Sequence, residues 1–280
     1  MMKRLFLVAG YDPQGIIGPS FIYCISALSA YGDIIAVMDC DCTEEELRKL
    51  SPYVLHAGAG RHGEYDFGSY KRAYLYACSS GLLGKYDFCY LVNDSVFGPL
   101  HDPGPYLERM EKSGKDAFAI AMNPHRRHPH LQSWFIGLAP SVFTSGEFRE
   151  FISGVRHLED KNSVCMVYEN GLTALLRRCG FSYGALYRIK GKRIYNDIRN
   201  LYRDGLPFFK KSAFTRHNGA LGAQVNYILQ RISPELGSAI ISDTSRIYGT
   251  EYVRRFLEGG PAEMFCRYIS YLADKIFHTR

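Results

Sequence analysis

The sequence predicts an α/β fold: a mostly parallel sheet flanked by helices, with a helical C-terminal extension. Up to about residue 123, short apolar runs alternate with helical segments, the pattern of parallel strands joined by crossover helices. Composition agrees. At 280 residues, 46% hydrophobic and 22% charged, the chain is ordinary globular material, long enough for one large core plus an extension or for two modest cores. No apolar run approaches the length of a membrane span.

The elements follow in order. "RLFLVAG" is a compact apolar run ending at Gly10; at six apolar residues before Tyr-Asp-Pro it is too short for a signal-peptide core and right for a first strand. "SFIYCISALSAYG" reads as a helix with Ser20 as N-cap and Gly32 as stop. "DIIAVMD" is a second strand, and "TEEELRKL" a short helix whose Thr43 and Glu46 form a capping-box pattern. "YVLHAGA" is a third strand, "DFGSYKRAYLYACSSG" a helix and "YDFCYLVND" a fourth strand. "DPGPYLERMEKSG" and "DAFAIAMN" continue the alternation. After residue 130 it becomes mixed: "HLQSWFIGLAP" as one strand, "SGEFREFISGV" and "ENGLTALLRRCG" as helices, "FSYGALY" as a strand. Beyond residue 190 the pattern weakens until a helix-prone C-terminal region.

Charge is uneven. Residues 1–122 carry 11 Lys/Arg and 15 Asp/Glu, whereas residues 123–280 carry 23 and 13. A basic second half fits phosphate-bearing ligands, nucleic acid or an anionic membrane face, and charge alone does not choose. The eight cysteines are scattered. Cys40 and Cys42 are too close for a metal knuckle, and Cys24, Cys78 and Cys89 lie in apolar surroundings, as reduced thiols of a cytoplasmic protein do.

Three segments carry candidate chemistry. "YLVNDSVFGPL" is an apolar strand ending in Asn93-Asp94-Ser95. Its plainer reading is a strand reaching the surface and capping the next element. Its sharper reading puts Asp94 at the carboxyl end of a central parallel strand, where open α/β sheets bind ligands. One such carboxylate suffices for a hard divalent cation that phosphates and water also coordinate. "RHGEYDFGSYKRA" is a glycine-bearing turn opening a helix with Arg61, Asp66, Ser69, Tyr70, Lys71 and Arg72. Backbone amides at a helix start beside cations suit a phosphate or nucleotide; an ordinary charged helix start is the alternative. "YENGLTALLRRCG" opens an amphipathic helix with Glu169, which either complements the helix dipole or serves as a general base.

The succession "GYDPQGIIGPS", "RHGEYDFGSYKRAY", "NDSVFGPL", "HLQSWF", "ENGLTALL" and "LPFFKKSAF", running in order over about residues 5–215, resembles the rhamnan-synthesis F family of bacterial polysaccharide glycosyltransferases. More loosely it is similar to GT-A glycosyltransferases. The resemblance implies a GT-A-like, Rossmann-related domain over residues 1–200, with a nucleotide-sugar half to about 122, an acceptor half from 123, and an extension over 201–280. It implies a nucleotide-sugar donor and a carbohydrate or lipid-linked oligosaccharide acceptor. Asp94 takes the place of the metal or diphosphate motif and Glu169 that of the base. Donor contacts fall on Gly10, Tyr11, Asp12, Arg61, Asp66, Ser69, Lys71, Asn93 and Ser95. Where many GT-A enzymes have two carboxylates, "NDS" has one, so either Mn or Mg at Asp94 or the cations Lys71, Lys210 and Lys211 neutralise the diphosphate. An L-rhamnosyl donor carried on dTDP is the first expectation, with UDP-hexose or UDP-galactofuranose open.

In "NPHRRHPHLQSWF", His130, Gln132 and Ser133 offer hydrogen bonds to an acceptor and Trp134 an aromatic face; a buried Trp under a solvated basic loop is the alternative. "YRIKGKRIYNDIRNLYRDG" interleaves basic and aromatic residues but contains no recognised nucleic-acid module, so no nucleic acid is expected and a lipid-linked acceptor or membrane surface fits better. In the C-terminal segment Phe265, Tyr268, Ile269, Leu272 and Ile276 form one helical stripe, packing on the body or touching the inner membrane face. The rival from another class is a non-catalytic nucleotide-sugar-binding module. A dinucleotide oxidoreductase lacks its GxGxxG after "RLFLVAG".

Overall fold

The computed structural model describes residues 2–216 and 218–260, together with Phe265 and Ile269. The chain forms two compact units. The first takes the described residues up to Ile17, Phe21–Asp94 and Asp102–Gly191; the second takes Gly18–Ser20, Ser95–His101 and the described residues from Lys192 on. The strands are β1 (Arg4–Gly10), β2 (Asp33–Met38), β3 (His56–Ala59), β4 (Phe88–Asn93), β5 (Val96–Phe97), β6 (Ala117–Asn123), β7 (His130–Leu131), β8 (Phe135–Leu138), β9 (Tyr183–Arg188) and β10 (Phe209–Lys210).

In the first unit the sheet order is β3-β2-β1-β4-β8-β6-β7, with β9 also on β6. The pairs β1/β2, β1/β4, β2/β3 and β6/β9 are parallel, as expected for this α/β class. β8 inserts antiparallel between β4 and β6. Every residue of β1 is buried, which is why it reads as a continuous apolar run without alternation. Helix Tyr65–Ser79 buries Phe67, Tyr70, Ala73, Tyr74 and Ala77 in one cluster with Leu5, Leu7 and Ile35. Gly137 of β8 is fixed by crowding: a Cβ there would lie 2.0 Å from the Phe118 ring and 2.7 Å from that of Tyr90. The buried Tyr90 hydroxyl donates to Glu111 at 2.6 Å, and Arg4 clamps the same carboxylate at 2.5 and 2.8 Å.

One expected strand is two. Along β6, Met122 faces Leu131, whereas Ala119 faces Ile136. Two residues on β6 therefore stand against four in 132–135, a bulge of two extra residues around Gln132–Trp134. Bulges break the ladder and re-aim side chains, and the polar residues of this one, Gln132 and Ser133, are buried.

The second unit holds the β5/β10 ribbon, the turn Lys211–Phe214 and the helices Leu221–Leu229, Pro234–Tyr248 and Thr250–Glu258. Phe97, Phe209, Phe214 and Phe256 are buried and pack in tilted and edge-to-face pairs with ring centroids 5.0–5.9 Å apart. Ser20 is not the N-cap its sequence suggests. The helix begins at Pro19, and the buried Asp243 carboxylate accepts the Ser20 N–H at 2.9 Å and its hydroxyl. This cap comes from 223 residues away and leaves no local pattern. Of the C-terminal stripe, Phe265 and Ile269 are exposed; Tyr268, Leu272 and Ile276 lie outside the described residues.

Candidate active site

Strand order reverses between β1 and β4, since β2 and β3 lie on one side and β8 and β6 on the other. Open α/β sheets bind ligands outside such a point. Asp94 follows directly on β4 there: its amide donates to Ala9 O at 3.1 Å, and the Tyr11 N–H donates to its Oδ2 at 3.3 Å. Asn93 is buried and turned to the helix start, its Nδ2 donating to Asp66 Oδ2 at 2.8 Å. Asp12 shapes the loop after β1, accepting the N–H groups of Gln14 and Ile16 at 2.9 and 3.2 Å. Gly10 is buried under Met38 and Phe21, and Tyr11 is exposed. The Cys40 thiol is pushed up, first by burial and further by the charges of Asp12 and Asp94, so both acids lie about this strand end.

Glu169 ends a single π-helical turn, Cys165–Glu169, that runs into helix Asn170–Arg178. Such turns recur at functional sites. Its anchor is the buried Tyr168, whose hydroxyl donates to Arg156 O at 2.9 Å and accepts the Arg156 N–H at 2.8 Å. Glu169 makes no capping bond with its side chain. Instead, Ser133 Oγ donates to Glu169 Oε2 at 3.0 Å, and His130 Nε2 lies 3.5 Å from Oε1. His130 Nδ1 sits 2.9 Å from His128 O and must donate, a carbonyl being an acceptor only. In a neutral ring this leaves Nε2, facing Glu169, as the free lone pair.

The two acids belong to one neighbourhood. The β4/β8 ladder pairs Val92 with Phe135, and the Asn93 N–H donates to Trp134 O at 3.1 Å. Continued by one more step, this register sets Asp94 opposite Ser133, the residue that holds Glu169. Beneath them Tyr70 is fully buried and donates its hydroxyl to Ser133 O at 2.9 Å. Its phenol is raised well above 10, first by burial, then by the charge of Asp66, and also by Asp94 and Glu169, with an Asn93 hydrogen bond opposing. Tyr70 thus lies within electrostatic reach of all three carboxylates.

At the ends of β2 and β3 is a cleft of about 370 Å³ lined by residues that include His56, Gly58, Gly60, Arg61, His62 and Arg72. Its floor was not legible as a site. Asp39 accepts the N–H groups of His62 and Gly63 at 2.8 and 2.9 Å, and His62 Nε2 lies 3.0 Å from Ser69 Oγ. Because His62 Nδ1 accepts the Glu64 N–H at 3.1 Å, Nε2 carries the hydrogen and donates to Ser69. Ser69 is therefore not activated as a nucleophile. Asp39 ends an apolar strand as Asp94 does, in "VMDCD", and that repeated pattern was the available signal.

Some expected residues stand elsewhere. Lys71 does not face an open phosphate site: its Nζ donates to Val155 O at 2.6 Å and lies 3.5 Å from Glu64. Trp134 presents no aromatic face, being 2% exposed with Nε1 donating to Gln132 Oε1 at 2.8 Å. Its backbone carbonyl accepts the Asn93 N–H at 3.1 Å, so this bulge residue stays joined to the end of β4. Arg61 is exposed and paired with Asp41 at 3.1 Å. Lys210, Lys211 and Ser95 belong to the second unit, where Lys210 Nζ donates to Ser95 Oγ at 3.1 Å. Among the described residues no group of three or more His, Cys, Asp or Glu is placed to hold a metal. Asp94 offers one carboxylate, which suits a divalent cation only when a ligand's phosphates supply other positions.

The profile of a known family, rhamnan synthesis protein F, matches residues 34–251. The chain belongs to the rhamnan synthesis protein F family. Among curated proteins the chain is 26% identical over 180 residues to the uncharacterized protein y4gN of Sinorhizobium fredii (strain NBRC 101917 / NGR234), covering 63% of this chain and 46% of that one. The chain thus spans about half the length of this relative. Among solved structures it is similar to a protein assigned as a nucleotide-diphospho-sugar transferase from Desulfovibrio desulfuricans G20, with a TM-score of 0.42, 14% identity, and 91% and 99% of the two chains covered. It is also similar to core-mannan synthase A from Aspergillus fumigatus in its Mn/GDP form, with a TM-score of 0.38, 10% identity, and 63% and 69% covered.

Proposed function

We propose that the chain is an inverting glycosyltransferase that extends a bacterial cell-surface polysaccharide, with L-rhamnose from dTDP-rhamnose as the first donor to test. Glu169 is its general base and Asp94 marks the diphosphate side. The observation that carries this reading is the aim of Glu169: its carboxylate is held by Ser133, with His130 Nε2 3.5 Å away, and does not cap its own helix.

The acceptor hydroxyl oxygen bonds to the anomeric carbon while the carbon–oxygen bond to the diphosphate breaks and the diphosphate leaves with the electron pair. Glu169 takes the hydroxyl proton, which His130 Nε2 then relays to solvent, regenerating the carboxylate. A positioned base contributes on the order of 10²–10⁴ in rate, and charge at the leaving diphosphate must be neutralised. Asp94 is the carboxylate that would hold Mn or Mg against that diphosphate, and such a cation, when bound, supplies the neutralising charge.

The acceptor is a carbohydrate or lipid-linked oligosaccharide met at the cytoplasmic face of the inner membrane, with peripheral contact only. Among the described residues no helix is long and apolar enough to cross a membrane. The single carboxylate of "NDS" favours one second reading, a non-catalytic nucleotide-sugar-binding module. Thermal shifts with dTDP-, UDP- and GDP-sugars, with and without manganese, followed by nucleotide release with each binder, test both. A stabilising sugar nucleotide that is turned over supports the transferase. Binding without turnover selects the module, and no shift with any nucleotide rejects both.

A further inference from the structure

The second unit contains a polar pair, Ser212 and Arg216, that none of the chemistry above uses. On the turn Lys211–Phe214 and the residues just after it, Ser212 Oγ and Arg216 Nε are both buried and have no hydrogen-bond partner among the described residues. They stand one turn apart, since the Arg216 N–H donates to Ser212 O at 3.1 Å. Side chains with that spacing lie on one face. The Arg216 guanidinium is held flat by Tyr195, 4.0 Å from the ring centroid, and forms no ion pair with an acid among the described residues. Its position is not slack. Phe214, inside the turn, is buried, and Tyr252 donates its hydroxyl to Phe214 O at 2.5 Å. Two more cations flank the turn: Lys211 lies 5.4 Å from the Phe97 ring centroid, and Lys210 donates to Ser95.

Buried polar atoms are nearly always paired, and a buried guanidinium nitrogen most of all. Here a hydroxyl and a cationic N–H, neither with a partner among the described residues, stand one turn apart beside further positive charge on a braced turn. The guanidinium N–H can be satisfied only by an acceptor, and the hydroxyl is free to donate to the same one. We propose that Ser212 and Arg216, with Lys211 beside them, form an anion-binding site for a phosphoryl group. A planar guanidinium and a hydroxyl match adjacent phosphoryl oxygens, and charge-assisted bonds of this kind are the strong ones. Anion binding follows from the cluster itself; the choice of a phosphoryl group over other anions rests on the transferase reading. Either the diphosphate of the donor or the phosphate of a prenyl-linked acceptor supplies this chemistry.

The test is calorimetric titration of the full chain with inorganic pyrophosphate, then with dTDP and UDP, then with geranyl phosphate. Wild type is expected to bind pyrophosphate. Arg216→Gln is expected to bind it at least about tenfold more weakly, Ser212→Ala several-fold more weakly, and Arg216→Lys in between. If the Arg216→Gln loss recurs with dTDP or UDP, the donor is the source; if with geranyl phosphate, the acceptor is. Should Arg216→Gln fail to fold, Ser212→Ala decides. Wild type that does not bind pyrophosphate, or variants that bind it equally well, would overturn the site. Glu169→Gln keeps pyrophosphate affinity, so a chain that binds through Arg216 yet turns over no nucleotide sugar loses the transferase reading and retains this one.

Discussion

Replacing Ser133 by alanine isolates the positioning of Glu169. The substitution removes one oxygen and leaves the bulge intact, because the Tyr70 hydroxyl bonds to the Ser133 backbone carbonyl and not to its side chain. What is lost is the 3.0 Å bond to Glu169 Oε2. A hydrogen bond to a charged acceptor is worth about 1.5–3 kcal/mol. The lower end applies, since the Glu169 side chain is 20% exposed and water can take the vacated place. About 1.5 kcal/mol corresponds to roughly a tenfold fall in kcat if the bond persists in the transition state. Initial rates of nucleotide release under saturating donor and acceptor measure it. Donor KM and Tm are expected to change little, and Glu169→Gln combined with Ser133→Ala to be no slower than Glu169→Gln alone. A kcat within twofold of wild type, or a raised donor KM at unchanged kcat, would refute the reasoning.

Two further predictions concern the frame of the site. Glu111→Gln breaks a buried pair whose side chains are 7% and 4% exposed, leaving the Arg4 charge uncompensated at a cost of about 3–5 kcal/mol. Thermal unfolding is expected to shift down by roughly 10 °C for a unit of this size; a shift under about 3 °C would show that the pair contributes little. His62 is held below its ordinary 6.5, first by burial, with Asp39 and Glu64 opposing and Arg72 and Lys71 assisting. The folded state therefore binds fewer protons than the unfolded chain, and stability falls as pH drops below about 6.5 through the folded pKa. Unfolding followed between pH 7.5 and 5.5 is expected to show a loss in wild type that His62→Asn lacks, and parallel curves would contradict the assignment.

The local signals in this sequence were strong where burial is uniform. β1, β2 and β4 are apolar runs buried on both faces, and each was legible with its polar terminator, including Asp94. The Thr43 cap was legible for the same local reason, its hydroxyl accepting the Glu46 N–H at 3.2 Å. The other half of that box was not, because the Glu46 carboxylate is drawn off to the Ile17 N–H at 2.6 Å and to Lys49. The antiparallel entry of β8 and the bulge before it depend on pairing with β4 and β6, and alternation within "HLQSWFIGLAP" carries no trace of either. Glu169 was visible as a helix opener, but the π turn that aims it is anchored by Tyr168 on the Arg156 backbone, a contact outside the helix. Lys71 misled because a lysine near a glycine turn looks free in sequence, whereas here the Val155 carbonyl takes its ammonium. Ser212 lies within "LPFFKKSAF", where nothing in the sequence singles it out, and Arg216 falls just beyond that stretch; their unpaired atoms mark them.

Glu169→Gln tests the central claim most directly, with nucleotide release and donor affinity measured on the same preparation. If Glu169 removes the acceptor proton across from Asp94, release falls by about 10² or more while the donor Kd stays within a few-fold of wild type. A glutamine variant that turns over at a near-normal rate, or one that loses donor binding along with turnover, would contradict it.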